Sequence, residues 1–498
     1  MNLQQRDLWA AMGLFAASLL WRVAILAPYP AFEGLYGQDP FAYYDFAQEL
    51  RLAVGEGRMP GPFFWPLGYP ALLGLGFVLF GTAAGVGQGI NLLLGALLPP
   101  LVYVLARRSG CGRPGAWLAA GVMAVCGQAV QSSLVIMADV PALAWATLGA
   151  VVLSLYLEEQ RGGLLALSVA LLTLAVLTRW LCLALALPWG LAVFLAWRGR
   201  IRWRDGLLAG MTALLLLLPQ VAHSSASPYP TLNHAWVRGW SPGNALRREF
   251  TNPDGHFVYE QINALFYARP FYDPYYLAPV FSPFLLLGLV ALWHQRNAPR
   301  ALMLAGWVAL PYCFLAGIPY QNIRFPLLVF PAVAVLAGLG LERALAWLPG
   351  RWSLRHGKGW WVGRVALVVA ILSGMGMMAV VGRAVSGDFV ARQLEDRAVA
   401  VWATERVPPE ANLYTSGLTL TLRHYTSLEV YELYYETPAT LTARWVPGRV
   451  DFLLVNEWQI ETQWAGREPQ AAFHWLRDAR GLTRLDRFGQ YTLFQVGE

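Results

Sequence analysis

Four ionisable residues stand where a membrane chain rarely tolerates them. Asp39 and Asp139 each open a helix-like run beside apolar sequence, in GQDPFAYYDFAQEL and SSLVIMADVPALAWATL. Arg179 and Arg324 interrupt apolar sequence outright, in VLTRWLCLALALPW and GIPYQNIRFPLLVFP. Ionisable groups at the edge of hydrocarbon are costly and usually serve an ion, a proton or a substrate. Two carboxylates supply a general base and a partner that orients an acceptor or a cation. Two guanidiniums supply bidentate binding of a phosphate and stabilisation of charge on a leaving group. Each residue also has a simpler reading. Pro40 suits a first helical turn, so Asp39 can cap an amphipathic interfacial helix in which Tyr43, Ala47 and Leu50 share a face. Asp139, ahead of Val140 and Pro141, can cap in the same way, and either arginine can snorkel to lipid phosphate. Asp45 lies six residues beyond Asp39, nearly opposite in helical phase, and need not share its site.

A second group of candidates lies in the segment 223–276, which holds Arg247 and Arg248 as further substrate contacts together with Asp254 and His223, His234 and His256. The histidine spacings of 11 and 22 residues match no compact metal-ligand pattern. A divalent metal therefore stays open, with Asp39, Asp139 and His256 as its candidate ligands. The many Tyr and Trp residues of this segment fit an interfacial anchor or a stacking surface for sugar. There is no P-loop, no GxGxxG after a strand and no HExxH. Cys111, Cys126, Cys182 and Cys313 fall in apolar runs or short loops, so neither a disulfide nor a cysteine metal site is expected.

The elements that must position these residues are membrane spans. Of 498 residues 57% are hydrophobic and only 13% charged, whereas soluble domains carry about 25% charged residues. Apolar runs long enough to cross about 30 Å of hydrocarbon start near residues 8, 88, 114, 138, 163, 181, 206, 277, 301, 326 and 362. The first has no small-residue cleavage site after it and reads as an uncleaved span. The net charge of +7 sits in short loops between these runs, which reports orientation and not a nucleic-acid partner.

Trp65–Phe80 is the doubtful run, broken by Pro66, Gly68, Pro70, Gly74 and Gly76. Left out of the span count, it puts the N-terminus and segments 107–113, 158–162, 198–205, 295–300 and 343–364 on one side with sixteen Arg or Lys. The opposite loops ahead of the tail, although they contain many more residues, carry eight. The positive-inside rule thus reads Pro66–Phe80 as a juxtamembrane element on the outer face and the N-terminus as cytoplasmic. Three outward elements follow: a first loop at 28–87, a long loop at 223–276 and the tail.

Composition changes near residue 386. ARQLEDRAVAVWATERV and AAFHWLRDA read as helical, ANLYTS and DFLLVNE as extended, and a closing strand pair flanks FGQ. The fold expected is mostly α: a bundle of about 11 transmembrane helices over 1–385, with outer-face juxtamembrane helices, and a small soluble α/β domain over 386–498.

The order Asp39, Tyr43, Ala47, Leu50, then Gly55 and Gly57, then WPLGYPALLGLGFVLFG, resembles the first outer loop of the GT-C glycosyltransferases. The likeness is greatest to the membrane families that include protein O-mannosyltransferases and lipid A aminoarabinose transferases. It continues through LARRSGCGRPGAWLAAGVMA, the Asp139 segment, the Thr178-Arg179 step and IRFPLLVFPAVAVLAGLGLERAL, and covers most of residues 8–346. The resemblance implies transfer of a sugar from a polyprenyl-phosphate donor to a protein, lipid or glycan acceptor on the extracytoplasmic face of a bacterial or archaeal plasma membrane. It also implies Asp39 and Asp139 as the catalytic acids, Tyr43 as a substrate contact, and Arg179 and Arg324 as donor-phosphate contacts. Three features depart from it: Pro40 replaces the second acid of an Asp-Glu pair, Phe64, Trp65 and Pro66 stand where some relatives carry Lys or His, and no outward WWDYG-like motif is present, Trp360-Trp361 lying on the cytoplasmic side, which argues against an oligosaccharyltransferase. The rival reading is a lipid-linked sugar flippase or a non-catalytic scaffold. A flippase predicts ionisable groups and broken helices at mid-membrane in paired halves, whereas here they gather at one face.

Overall fold

The computed structural model describes residues 5–197, 202–226, 235–295, 297–351, 359–444 and 449–497. Its first part is helical: α1 (Gln5–Leu26), α2 (Asp39–Gly55), α3 (Gly68–Phe80), α4 (Ala84–Arg108), α5 (Arg113–Val125), α6 (Gly127–Ser133), α7 (Asp139–Glu159), α8 (Gly162–Thr178), α9 (Ala186–Ala196) and α10 (Trp203–Ala226). The short α11 (Ala235–Arg238), a hairpin of β1 (Glu249–Asn252) and β2 (Gly255–Val258), and α12 (Asn263–Tyr267) follow. The helical body then resumes with α13 (Ser282–His294), α14 (Ala298–Ala316), α15 (Phe330–Arg351) and α16 (Gly359–Thr404).

By length and composition, α1, α4, α7, α10, α14, α15 with its lead-in turn, and α16 are long and apolar enough to cross a membrane. Gly68–Phe80, Gly162–Thr178, Trp180–Ala196 and Pro279–His294 are shorter apolar helices. The span expected from residue 114 is instead two helices broken at Cys126. There the Gly127 and Gln128 amides donate to the Tyr275 carbonyl at 2.8 and 3.4 Å, which diverts the helical ladder to a neighbouring segment. The span of α15 is the centre of the bundle, with 94% of its apolar window buried, against 17% for α10 and α16 at the periphery. Close crossing of α13 over α15 needs glycine: a Cβ at Gly340 would lie 1.8 Å from the Phe284 carbonyl oxygen.

α16 is 46 residues long, roughly 69 Å at 1.5 Å per residue. It runs through residue 385 without a break and delivers Val399, Ala400, Trp402 and Ala403 to the core of the tail. That tail is a mixed five-stranded sheet, in the order β4-β3-β5-β7-β6, from β3 (Asn412–Thr415), β4 (Glu429–Glu432), β5 (Asp451–Val455), β6 (Leu482–Phe488) and β7 (Tyr491–Val496). β3 pairs in parallel with β4 and β5, and β7 runs antiparallel between β5 and β6. DFLLV is buried at every position, as expected of a strand covered on both faces. The expected strands at ANLYTS, DFLLVNE and around FGQ are all present, while β4 adds one that the sequence reading lacked.

The tail docks on α2. His424, in α17 (Thr419–Tyr425), packs its ring 5.3 Å from Phe41 and 5.6 Å from Tyr44. It also touches the β1–β2 hairpin, where the His256 amide donates to the Gln463 carbonyl at 2.7 Å.

Candidate active site

α2 begins at Asp39, and its buried face is fixed by an aromatic cluster. Tyr43 packs against Tyr69, Trp65 and Phe63, with ring centroids 5.0, 5.5 and 5.9 Å away. Gln38 occupies the cap position without a side-chain cap, and Asp39 is the first helical residue. Its carboxylate does something else: Oδ2 accepts from Arg324 Nη2 at 3.3 Å.

Asp139 is likewise the first residue of its helix, behind Ala138, which makes no side-chain cap. The segment that leads into it, 134–138, has its backbone held by side chains of α4. Gln88 Nε2 donates to the Leu134 carbonyl at 2.9 Å, and Asn91 Nδ2 to the Val135 and Met137 carbonyls at 2.6 and 2.7 Å. Asn91 Oδ1 in turn accepts from the Tyr69 hydroxyl at 2.9 Å, which links the Asp139 segment to the aromatic cluster beneath Asp39. Asp139 is 6% exposed.

Arg179 sits at the extended break between α8 and the 3-10 turn Trp180–Leu185. Its Nη1 is 3.0 Å from Asp139 Oδ1, and its guanidinium lies 5.1 Å from the centre of the Phe325 ring. Gly68, in WPLGYP, packs against the last turn of α8, where a Cβ would be 2.7 Å from the Leu177 carbonyl oxygen. The glycine of that motif thus permits the contact that brings α3 beside the Arg179 break.

Arg324 is aimed by Asn322, whose Oδ1 accepts from the Arg324 amide at 3.0 Å and from Nε at 3.3 Å. Its two terminal nitrogens then diverge, Nη2 to Asp39 and Nη1 to Asp139 Oδ2 at 3.9 Å. Asp39, Arg324, Asp139 and Arg179 therefore alternate in sign, so that the buried Asp139 has a guanidinium on each side. Arg324 Nη1 and Asp139 Oδ2 are both buried, and neither has a hydrogen-bond partner among the described residues. They border a cavity lined by Arg179, Leu181, Cys182 and Phe325, a charged rim on an apolar wall.

Two aromatic residues complete the surroundings. Burial pushes the phenol of Tyr43 up, and Asp39 and Asp139 push in the same direction against Arg179 and Arg324. The same four residues act on Tyr36, whose phenol is also raised, chiefly by burial. Tyr36 and Asn322 are absent from the expected set. An Asn two residues before an Arg is a recurrent local turn pattern that could have flagged the second; nothing in the sequence flags Tyr36.

The remaining expected residues stand apart from this cluster. Arg247 lies over Phe250 at 5.7 Å and is exposed, as is Arg248, in the segment entering the β1–β2 hairpin. His223 anchors the first loop, its Nε2 3.0 Å from the Gly61 carbonyl oxygen. His256 Nδ1 is 3.0 Å from the Thr251 hydroxyl, and its Nε2 3.8 Å from Glu249. His234 lies outside the described residues. Among the described residues, no three His, Cys, Asp or Glu side chains form a group able to hold a metal, so Asp39, Asp139 and His256 are not gathered as joint ligands.

Residues 82–223 match the family model described as dolichyl-phosphate-mannose-protein mannosyltransferase. No curated protein matches the chain. Among solved structures, the chain is similar to ArnT from Cupriavidus metallidurans bound to undecaprenyl phosphate, at 15% identity, 98% coverage of both chains and a TM-score of 0.64. It is also similar to the archaeal oligosaccharyltransferase AglB from Archaeoglobus fulgidus in complex with an inhibitory peptide and a dolichol-phosphate. Identity there is 12% and the TM-score 0.64, over 94% of this chain and 72% of that one. Arabinofuranosyltransferase AftD from Mycobacteria matches at 17% identity and a TM-score of 0.53, over 100% of this chain and 42% of its own. The helical body and the small sheet-bearing tail together make the GT-C fold of membrane glycosyltransferases, and that is the fold of this chain.

Proposed function

We propose that this protein is a membrane glycosyltransferase that moves a sugar from a polyprenyl-phosphate donor to an acceptor by direct, inverting displacement. The observation that carries the reading is the convergence of Asp139, Arg179 and Arg324 on one apolar-walled cavity, with Asp39 from a fourth element paired to Arg324. Relatives in fold bind undecaprenyl phosphate and dolichol-phosphate, which is the ligand chemistry such a cavity suits: phosphate at the guanidiniums, isoprenoid along the apolar wall.

In this reading a donor phosphate enters between Arg179 and Arg324 and takes up the unpartnered Nη1. Arg324 then shares its charge with phosphate, which loosens its hold on Asp39. The freed carboxylate accepts the acceptor's proton as the acceptor oxygen attacks the anomeric carbon, and the bond to phosphate breaks with its electron pair left on the lipid phosphate. Asp139 holds Arg179 and Arg324 in place from its two oxygens. The charge distribution along the loops supports a cytoplasmic N-terminus with the site and tail outside, and analogy with the family supports a plasma membrane.

The test is incubation of purified protein with a panel of polyprenyl-phosphate monosaccharides and an extract of cell-envelope lipids, glycans and proteins as the acceptor source, reading release of polyprenyl phosphate by mass spectrometry. Release from at least one donor, dependent on Arg179 and Arg324, is expected; binding without release from any donor would favour a carrier.

A further inference from the structure

Arg324 stands at the end of a segment that has no helix or strand of its own. Residues 317–324 leave the C-terminal end of α14 and run to the 3-10 turn Phe325–Val329, with Pro319 among them. Backbone groups buried without a ladder need partners from elsewhere, and at the edge of hydrocarbon water is a poor source.

The long loop that carries β1, β2 and α12 supplies them. Four successive carbonyls, from Gly317 to Tyr320, accept from its side chains: in order, Asn244 Nδ2 at 2.8 Å, Asn263 Nδ2 at 2.5 Å, Asn252 Nδ2 at 3.1 Å and the Tyr267 hydroxyl at 2.7 Å. Two amides are met as well, Gln321 donating to the Tyr259 hydroxyl at 3.2 Å and Asn322 to that of Tyr267 at 3.3 Å. The hairpin is braced in turn from the tail, where Gln463 Nε2 donates to the Asp254 carbonyl at 2.8 Å.

Tyr267 bears most directly on Arg324. Its one hydroxyl serves both the Tyr320 carbonyl and the Asn322 amide, and Asn322 Oδ1 is the acceptor for the Arg324 amide and Nε. The tyrosine is 1% exposed, in a buried cluster with Leu315, Ile318 and Phe325, the last of which walls the charged cavity. A hydroxyl in such a setting is unfavourable unless its bonds are made, so it holds the segment in one position.

From these contacts we infer that Tyr267 is a positioning residue for Arg324, acting through Asn322, and that the long loop is the mould that fixes where the two terminal nitrogens of Arg324 lie. The consequence for donor binding rests on the glycosyltransferase reading; the placement does not. With the mould intact the guanidinium is set between Asp39 and Asp139 before lipid arrives, and the phosphate meets preorganised charge. Without the Tyr267 hydroxyl, two backbone groups beside Asn322 lose their partner and Arg324 loses its fixed direction.

The experiment uses the full-length protein in nanodiscs and reads hydrogen exchange by mass spectrometry together with affinity for undecaprenyl phosphate. Tyr312→Phe is the control, because its hydroxyl donates to the Ala264 carbonyl at 3.2 Å, a bond of the same kind beside the same cluster that does not reach the Arg324 segment. Tyr267→Phe is expected to speed exchange over residues 318–324 and to weaken lipid binding about fivefold or more, while Tyr312→Phe does neither. In an Arg324→Ala background, Tyr267→Phe should change affinity by less than about twofold, since two changes that act through one group do not add. Exchange over 318–324 that is unchanged in Tyr267→Phe, or raised as much in Tyr312→Phe, would overturn the inference, as would an affinity loss that adds in full to that of Arg324→Ala. If Arg324→Ala itself leaves affinity unchanged while exchange responds as expected, the phosphate contact falls and the placement by Tyr267 stands. Asn252→Ala, which gives up the bond to the Pro319 carbonyl, must speed the same exchange and keeps the test decisive if Tyr267→Phe misfolds.

Discussion

Arg324 Nη1 and Asp139 Oδ2 face each other across 3.9 Å, buried and without hydrogen bonds, while every other contact of the four-charge cluster is closer. The pair is too far apart to satisfy itself, and at this separation in a poorly screened interior it attracts a third group with both acceptor and donor character. A phosphate oxygen fits the arginine side of the gap.

Arg324→Ala is expected to weaken binding of undecaprenyl phosphate at least tenfold, because it removes both the phosphate contact and the counter-charge to two acids. Arg324→Lys keeps the charge but loses the fork that serves Asp39, Asp139 and Asn322 together, so it should recover only part of the affinity. Lipid titration followed by native mass spectrometry measures both; an unchanged affinity in Arg324→Ala refutes the phosphate contact.

At Gly68 any side chain meets the Leu177 backbone. Gly68→Leu should push α3 off the end of α8 and displace Arg179, lowering donor affinity and turnover together by about tenfold or more, in line with the cost of small misplacements in a catalytic constellation. Kinetics of the wild type and of this variant, with circular dichroism to confirm folding, check it. Wild-type parameters would show that the contact does not position Arg179.

Asn91→Leu removes donors from the Val135 and Met137 carbonyls in a site closed to water. Each unsatisfied carbonyl costs about 1–3 kcal/mol, so the thermal midpoint should fall by several degrees and turnover should fall with it. Tyr69→Phe deletes only the bond to Asn91 Oδ1 and should lose about 1 kcal/mol. Differential scanning fluorimetry ranks the two, and equal stability would remove Asn91 from its structural role.

Met59 is 54% exposed in the first loop. Met59→Cys, in a background where the exposed Cys313 is replaced by Ser, should react with a membrane-impermeant maleimide in intact cells. Reaction only after permeabilisation would reverse the proposed orientation.

Much of this architecture is legible in the sequence because apolar length is a one-dimensional signal. The extended tail strands are legible for a similar reason, since DFLLV is buried along its whole length. The break at Cys126 is not, because the Tyr275 carbonyl that takes the Gly127 amide comes from 148 residues further on in the chain. Asp39 and Asp139 each read equally well as helix caps, and only the positions of Arg179 and Arg324 in space separate the alternatives: both acids open their helices without capping and turn to arginine. Tyr36 escapes notice for the same reason, since a tyrosine in a loop carries no pattern, whereas Arg247 and Arg248 attract attention by charge alone and lie exposed beside the hairpin. The three metal candidates are not gathered in one place among the described residues, because residue type says nothing of distance.

The central claim is that Asp39 is the base. Asp39→Asn keeps the size of the side chain, so turnover of a polyprenyl-phosphate sugar is the measurement that isolates the carboxylate. A fall of about 10²–10⁴-fold, with undecaprenyl phosphate affinity within about threefold of wild type, is the predicted result; turnover within a few-fold of wild type would contradict it.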